Sequence, residues 1–94
     1  MATKLKDPNA RLDFRMDWGD EVEGPWLAPG EEISSSTWIV PDGLTEDGDD
    51  HDATTAWVWL TGGTAGQTYA ITNRITTNQA RIDDRTMKIF VTER

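Results

Sequence analysis

The feature that most constrains this chain is a period of two. Leu12, Phe14, Met16 and Trp18 alternate with Arg11, Asp13, Arg15 and Asp17. Such a stretch has one apolar and one charged face only if it is extended, because successive side chains on a strand point to opposite sides. The pattern returns in residues 68–76, with Tyr69, Ile71, Asn73 and Ile75 on one parity, and in residues 85–94, with Met87, Ile89 and Val91 on one face. Residues 54–61 and 37–40 are strands by their β-branched and aromatic content. No segment of useful length shows a helical period. Several short strands separated by turn signals such as Pro41-Asp42-Gly43 predict an all-β domain, a sandwich in preference to a barrel.

Ninety-four residues make one domain. Residues 1–10, polar and ending in Asp7-Pro8-Asn9, read as a flexible N-terminal arm bearing Lys4 and Lys6, with the sandwich at 11–94. In so short a chain large aromatics must carry much of the core, and there are five tryptophans. The absence of cysteine removes disulfides and thiolate chemistry and suits assembly in the cytoplasm. A net charge of −8 argues against nucleic-acid binding, which needs a basic stripe. No apolar run approaches the ~20 residues that span a bilayer, and the N-terminus has no hydrophobic centre for a secretory signal. Residues 19–31 read as a long acidic loop pinned by Trp26-Leu27, and residues 44–52 as a solvated acidic loop.

Leu60-Thr61-Gly62-Gly63-Thr64-Ala65-Gly66 invites two readings. A phosphate-cradling loop needs a helix after its glycines, so that backbone N–H groups and the helix dipole face the anion. The alternating stretch that begins at Tyr69 is a strand instead. The corner reading fits: Gly62-Gly63 can take positive φ and end one strand, Gly66 can turn into the next, and Tyr69 stands near the start of that strand, where immunoglobulin-like sandwiches often place a tyrosine whose hydroxyl bonds back to the corner backbone.

Candidates for chemistry are weak. Asp47, Asp49, Asp50 and Asp52 with Gly48 and His51 suggest calcium, but the ordered ligand spacing of a calcium loop is missing, so no metal site is assigned. Asp13 and Asp17, with Arg15 between them, form an outward charged face and not an acid–nucleophile pair. Ser34, Ser35 and Ser36 have no identifiable base. No catalytic residue and no cofactor is expected. Trp57 and Trp59 are the sharper feature. They point away from Ala56, Val58 and Leu60, so one of the two sets lies outside the core. If it is the indoles, they are covered by Trp26-Leu27, bury against a subunit, or stack on sugar rings; tryptophan is enriched at interface hot spots.

The set Lys6-Asp7-Pro8, Leu12-Asp13-Phe14, Asp17-Trp18, Trp26-Leu27, Gly30-Glu31, Ile33, Ser36 and Trp38 resembles small structural proteins of tailed bacteriophages, described as fibre–tail adaptors. The second half, Val58 to Gln67, Tyr69, Ile71-Thr72-Asn73, Arg81, Asp83, Arg85, Ile89 and Val91, is similar to the same family. The resemblance implies an immunoglobulin-like antiparallel β-sandwich, a place in the virion after synthesis in the host cytoplasm, and no catalysis. The leading expectation is a building block that contacts neck, tail or fibre proteins and packs in a homo-oligomeric ring, with no nucleic-acid or membrane partner. Trp57, Trp59, Trp26, Lys4 and Lys6 are the expected interface residues. The alternative from another class is a carbohydrate-binding module with Trp57 and Trp59 as its platform. The chain departs from the family in the acidic insertion Asp20-Glu21-Val22-Glu23-Gly24-Pro25, and in Asn78-Gln79-Ala80 where a glycine would suit the turn.

Overall fold

A computed structural model describes residues 3–19 and 27–93. Seven strands and no helix are found there: β1 (Thr3–Lys6), β2 (Leu12–Asp17), β3 (Ile33–Ile39), β4 (Leu44–His51), β5 (Thr55–Gly62), β6 (Thr68–Thr77) and β7 (Ile82–Val91). They form a four-stranded sheet, β1-β7-β6-β3, and a three-stranded sheet, β2-β5-β4. All pairs are antiparallel except β1 with β7, which is parallel.

The core lies between the sheets, where the period of two sends one face of each. Phe14, Leu44, Ala56, Val58 and Leu60 from the smaller sheet meet Trp38, Ile71, Met87, Ile89 and Val91 from the larger. Trp18, Leu27, Ile33 and Ile75 form a second cluster, and Met16 packs against both. Asn73 shares the buried parity of β6 without loss, because its amide is fully used. Trp18 Nε1–H donates to Asn73 Oδ1 at 2.9 Å, and Asn73 Nδ2 donates to Ser36 Oγ at 2.8 Å and to the Thr37 carbonyl at 3.2 Å.

Two segments differ from the sequence reading. Within the expected arm, Thr3–Lys6 is a strand on the β7 edge. Lys6 is buried, its Nζ donating to the Gly62 carbonyl at 2.6 Å and the Asp7 carbonyl at 2.9 Å. A lysine that finds two carbonyls can occupy an inward position that sequence would assign to an apolar residue. Burial pushes its pKa down, with the Asp7 charge opposing. The expected acidic loop is largely β4, an edge strand with a register shift between Glu46 and Asp49 and with Gly48 at φ 111°. Only Leu44 of that strand is buried, so the rest tolerates acids.

At one end of the sandwich Glu31 is only 4% exposed. It accepts from Arg81 through both carboxylate oxygens, from the Thr77 hydroxyl at 2.6 Å and from the Ala28 N–H at 3.0 Å. Arg81 first, then Thr77 and Ala28, hold its carboxyl down at about 2, against an ordinary value of 4.5. A carboxylate depressed on folding contributes stability that is complete above its unfolded pKa and is lost as pH falls through the folded one. The window therefore runs from about pH 4.5 down to about pH 2. Melting temperature followed through this window should fall steeply for the natural chain and much less for Glu31→Gln, which should start lower at neutral pH. Parallel curves would remove Glu31 from the account.

The β6–β7 turn carries the one non-glycine residue with positive φ among those described, Ala80 at 63°. Its N–H donates to the Thr77 carbonyl at 3.0 Å, which fixes this conformation. A Cβ in left-handed backbone costs about 1–2 kcal/mol, and glycine gives back part of that gain through its freer unfolded chain. Ala80→Gly should therefore stabilise the domain by about 0.5–1 kcal/mol, a rise of roughly 2–8 °C in thermal midpoint. A lower midpoint would mean that the turn is not strained.

Candidate functional site

The glycine corner joins β5 to β6. Gly62, Gly63 and Gly66 have φ of 82°, 99° and 88°. Gly63 N–H donates to the Gly43 carbonyl at 2.9 Å, and Gly66 N–H to the Val91 carbonyl at 2.7 Å. The Tyr69 hydroxyl accepts from the Thr64 N–H at 3.0 Å, five residues upstream. Its ring lies so close to Gly43 that a Cβ there would sit 2.7 Å from Tyr69 Cε1. The Gly63, Thr64 and Gly66 N–H groups that a phosphate loop would offer are thus spent on two backbone carbonyls and the Tyr69 hydroxyl, and β6 follows where a helix would be needed.

The acidic segment does not converge either. Among the described residues no three His, Asp or Glu side chains are placed to hold a metal ion. Asp52 Oδ1 accepts from the Thr54 and Thr55 N–H groups at 2.9 and 2.8 Å, shaping the β4–β5 turn, and these bonds lower its pKa. Asp47 pairs with Arg11, and Asp50 Oδ1 accepts from the His51 N–H at 2.8 Å. Ser34 Oγ donates to the Thr76 carbonyl at 3.0 Å and Ser36 Oγ accepts from Asn73, so both serve β3–β6 pairing.

What remains is the outer face of the β2-β5-β4 sheet. Ala56, Val58 and Leu60 are fully buried, which sends Trp57 and Trp59 outward, each half-buried. Register places Arg15 and Asp50 opposite Trp57, on β2 and β4, and Asp13 opposite Trp59. The Arg15 guanidinium lies 5.2 Å from the Trp57 ring centroid, and that of Arg11 lies 4.3 Å from the Trp59 centroid. Cation–π contacts at exposed sites contribute about 0.5–1 kcal/mol each. Arg11 also reaches Asp47 across β5, with Nε to Oδ2 at 2.5 Å, while Arg15 sits 3.6 Å from Asp13. The face is two indoles set among two arginines and three carboxylates, without a convergent acid–base pair.

Cover of these indoles by Trp26-Leu27 is one of the three readings that the sequence allows. Leu27 belongs to the Trp18 cluster, and Trp26 lies outside the described residues. Alternation in the sequence assigns Arg11 and Arg15 only to a charged strand face. Parity gives the face a side chain occupies, not its neighbour on the next strand, so the stacking needed the β2–β5 register. Of the other expected contact residues, Lys4 is exposed on β1 and Lys6, on the same strand, is buried.

Two sheets packed over an alternating core, a tyrosine-braced corner and a Trp/Arg outer face define an immunoglobulin-like β-sandwich. The solution structure of the PKD domain from KIAA 1837 protein has the same fold, with a TM-score of 0.55 and 17% identity over 98% of this chain and 79% of that one. No curated protein matches the chain. The chain belongs to the podophage GP4 fiber-tail adaptor protein gp77 family, whose sequence profile matches residues 6–90. It is thus a member of a family of phage structural adaptors.

Proposed function

We propose that this chain is a non-enzymatic building block of the virion, made in the host cytoplasm, that links tail and fibre components through protein–protein contacts and packs as several copies in a symmetric ring. Membership of the adaptor family supports the linking role. The observation that carries the contact surface is the pair Trp57 and Trp59, outward on the smaller sheet and flanked by Arg11 and Arg15. Tryptophan and arginine are the residue types most enriched at interface hot spots, since they combine a large apolar area with directed polar contacts. A sugar platform needs open ring faces, whereas here guanidinium groups already stack on both indoles. That favours a protein partner over a glycan.

Changing Trp57 and Trp59 together to alanine should leave the fold intact, since neither side chain points into the core. Loss of one hot-spot residue at about 2 kcal/mol cuts affinity about 30-fold, so loss of both should weaken binding to the neighbouring component by at least that factor. Incorporation into particles, measured by mass spectrometry of purified virions, should fall accordingly. Normal incorporation would remove this face from the contact surface. A saturable tryptophan-fluorescence shift with bacterial-surface glycans would favour the carbohydrate module.

A further inference from the structure

Among the described residues the sandwich has four edge strands, and three are blunted. β3 carries a register shift between Ile33 and Ser35, and β4 carries one between Glu46 and Asp49 along with exposed acids. β1 is four residues long, with Lys4 and Lys6 on its inward parity, opposite Ile89 and Val91. Bulges, short length and inward charges are the devices by which sheet edges avoid pairing with other chains. β2 has none of them. Its six residues, Leu12–Asp17, run in unbroken register with β5, and no strand among those described pairs with its other side.

Beside this edge a groove of about 390 Å³ opens between β2 and β1, lined by Lys4, Leu5, Leu12, Asp13, Phe14 and Arg15. Leu5 and Leu12 are 49% and 36% exposed, and with Phe14 they give the groove an apolar lining. Its charges are Lys4 and Arg15 against Asp13, and Arg15 already faces that carboxylate at 3.6 Å. None of the ion pairs among the described residues uses Lys4. In a chain of net charge −8, this is a locally cationic rim around an apolar trough.

We propose that the β2 edge receives an extended acidic segment of another protein, which adds to the smaller sheet as a fourth strand. Backbone groups of the segment would pair with the free side of β2. Apolar side chains two residues apart would enter the trough, and a carboxylate would meet Lys4. Charge complementarity selects the acidic segment. The proposal rests on the adaptor reading only in requiring a protein partner, and it concerns a strand edge, not the indole face.

The test is to titrate the ¹⁵N-labelled full chain with the acetylated, amidated peptide Val-Glu-Val-Glu-Val-Glu and with its lysine counterpart. The glutamate peptide should shift the β2 amides, slow their hydrogen exchange and bind about tenfold more tightly than the lysine peptide, with the preference lost in Lys4→Glu. Leu12→Glu, which adds an inward charge at the edge, should abolish binding. The proposal is overturned by absence of binding, by equal binding of the two peptides, by shifts mapping to another edge, or by β2 shifts that follow chain concentration alone, which would identify a second copy as the occupant. Trp57→Ala/Trp59→Ala should keep peptide binding whether or not it enters particles, so the edge and the indole face fail separately.

Discussion

Trp18→Ala is expected to destabilise the domain by about 3–5 kcal/mol, the cost of emptying a buried tryptophan site. Trp18 is fully buried among Leu27, Ile33 and Ile75. The site cannot collapse easily, because each neighbour is fixed by a different segment. The Trp18 N–H donates to the Thr54 carbonyl at 2.9 Å, and the Ile33 N–H donates to the Ala53 carbonyl at 2.8 Å, pinning two segments to the same turn. Arg85 closes the outside, with its guanidinium 4.4 Å from the Trp18 ring centroid and Nη1 donating to the Asp17 carbonyl at 3.3 Å. Alanine also strips Asn73 Oδ1 of its partner, and an orphaned buried acceptor costs about 1–3 kcal/mol.

A domain of this length has about 5–14 kcal/mol in total at 0.05–0.15 kcal/mol per residue. The alanine variant therefore removes about a fifth of it or more. Trp18→Phe separates the two contributions: it keeps most of the volume and loses the hydrogen bond, so it should cost about 1–3 kcal/mol. Guanidinium unfolding read by far-UV circular dichroism gives both values, and an alanine loss below about 1.5 kcal/mol would show the second cluster to be dispensable.

The clusters were legible because parity alone selects their members. Phe14 and Trp18 on one register, Ile71, Asn73 and Ile75 on another, and Met87, Ile89 and Val91 on a third are all buried, as alternation required. The same rule set Trp57 and Trp59 against Ala56, Val58 and Leu60. It failed for β1 and β4, edge strands with little buried on either side, whose exposed positions carry charges of the kind found in loops. β3 was seen only from Thr37 onward, because the serines before it gain their place through bonds to β6 that have no trace in local sequence. The site divides in the same way. The outward indoles are a property of one strand, while their arginine partners are a property of two.

Gly63→Ala is expected to cost about 2–5 kcal/mol, from left-handed backbone at about 1–2 kcal/mol and overpacking at about 1–3 kcal/mol. Gly63 has φ 99°, and a Cβ there would lie 2.7 Å from Val91 Cγ2 and 3.2 Å from Leu44 Cδ2. Val91 cannot withdraw. Its N–H donates to the Gln67 carbonyl at 2.9 Å, its carbonyl accepts from Gly66 at 2.7 Å, and its side chain is fully buried. Gly66 supplies the internal control, because its φ is 88° and a Cβ there meets nothing within 4 Å. Gly66→Ala should therefore show only the backbone cost, about 1–2 kcal/mol. The difference between the two variants, read from denaturant midpoints at equal m-values, measures how tightly the corner is closed on the end of β7. Equal losses would mean that the corner is held by backbone conformation alone, and the packing of Gly63 against Val91 would drop out of the account.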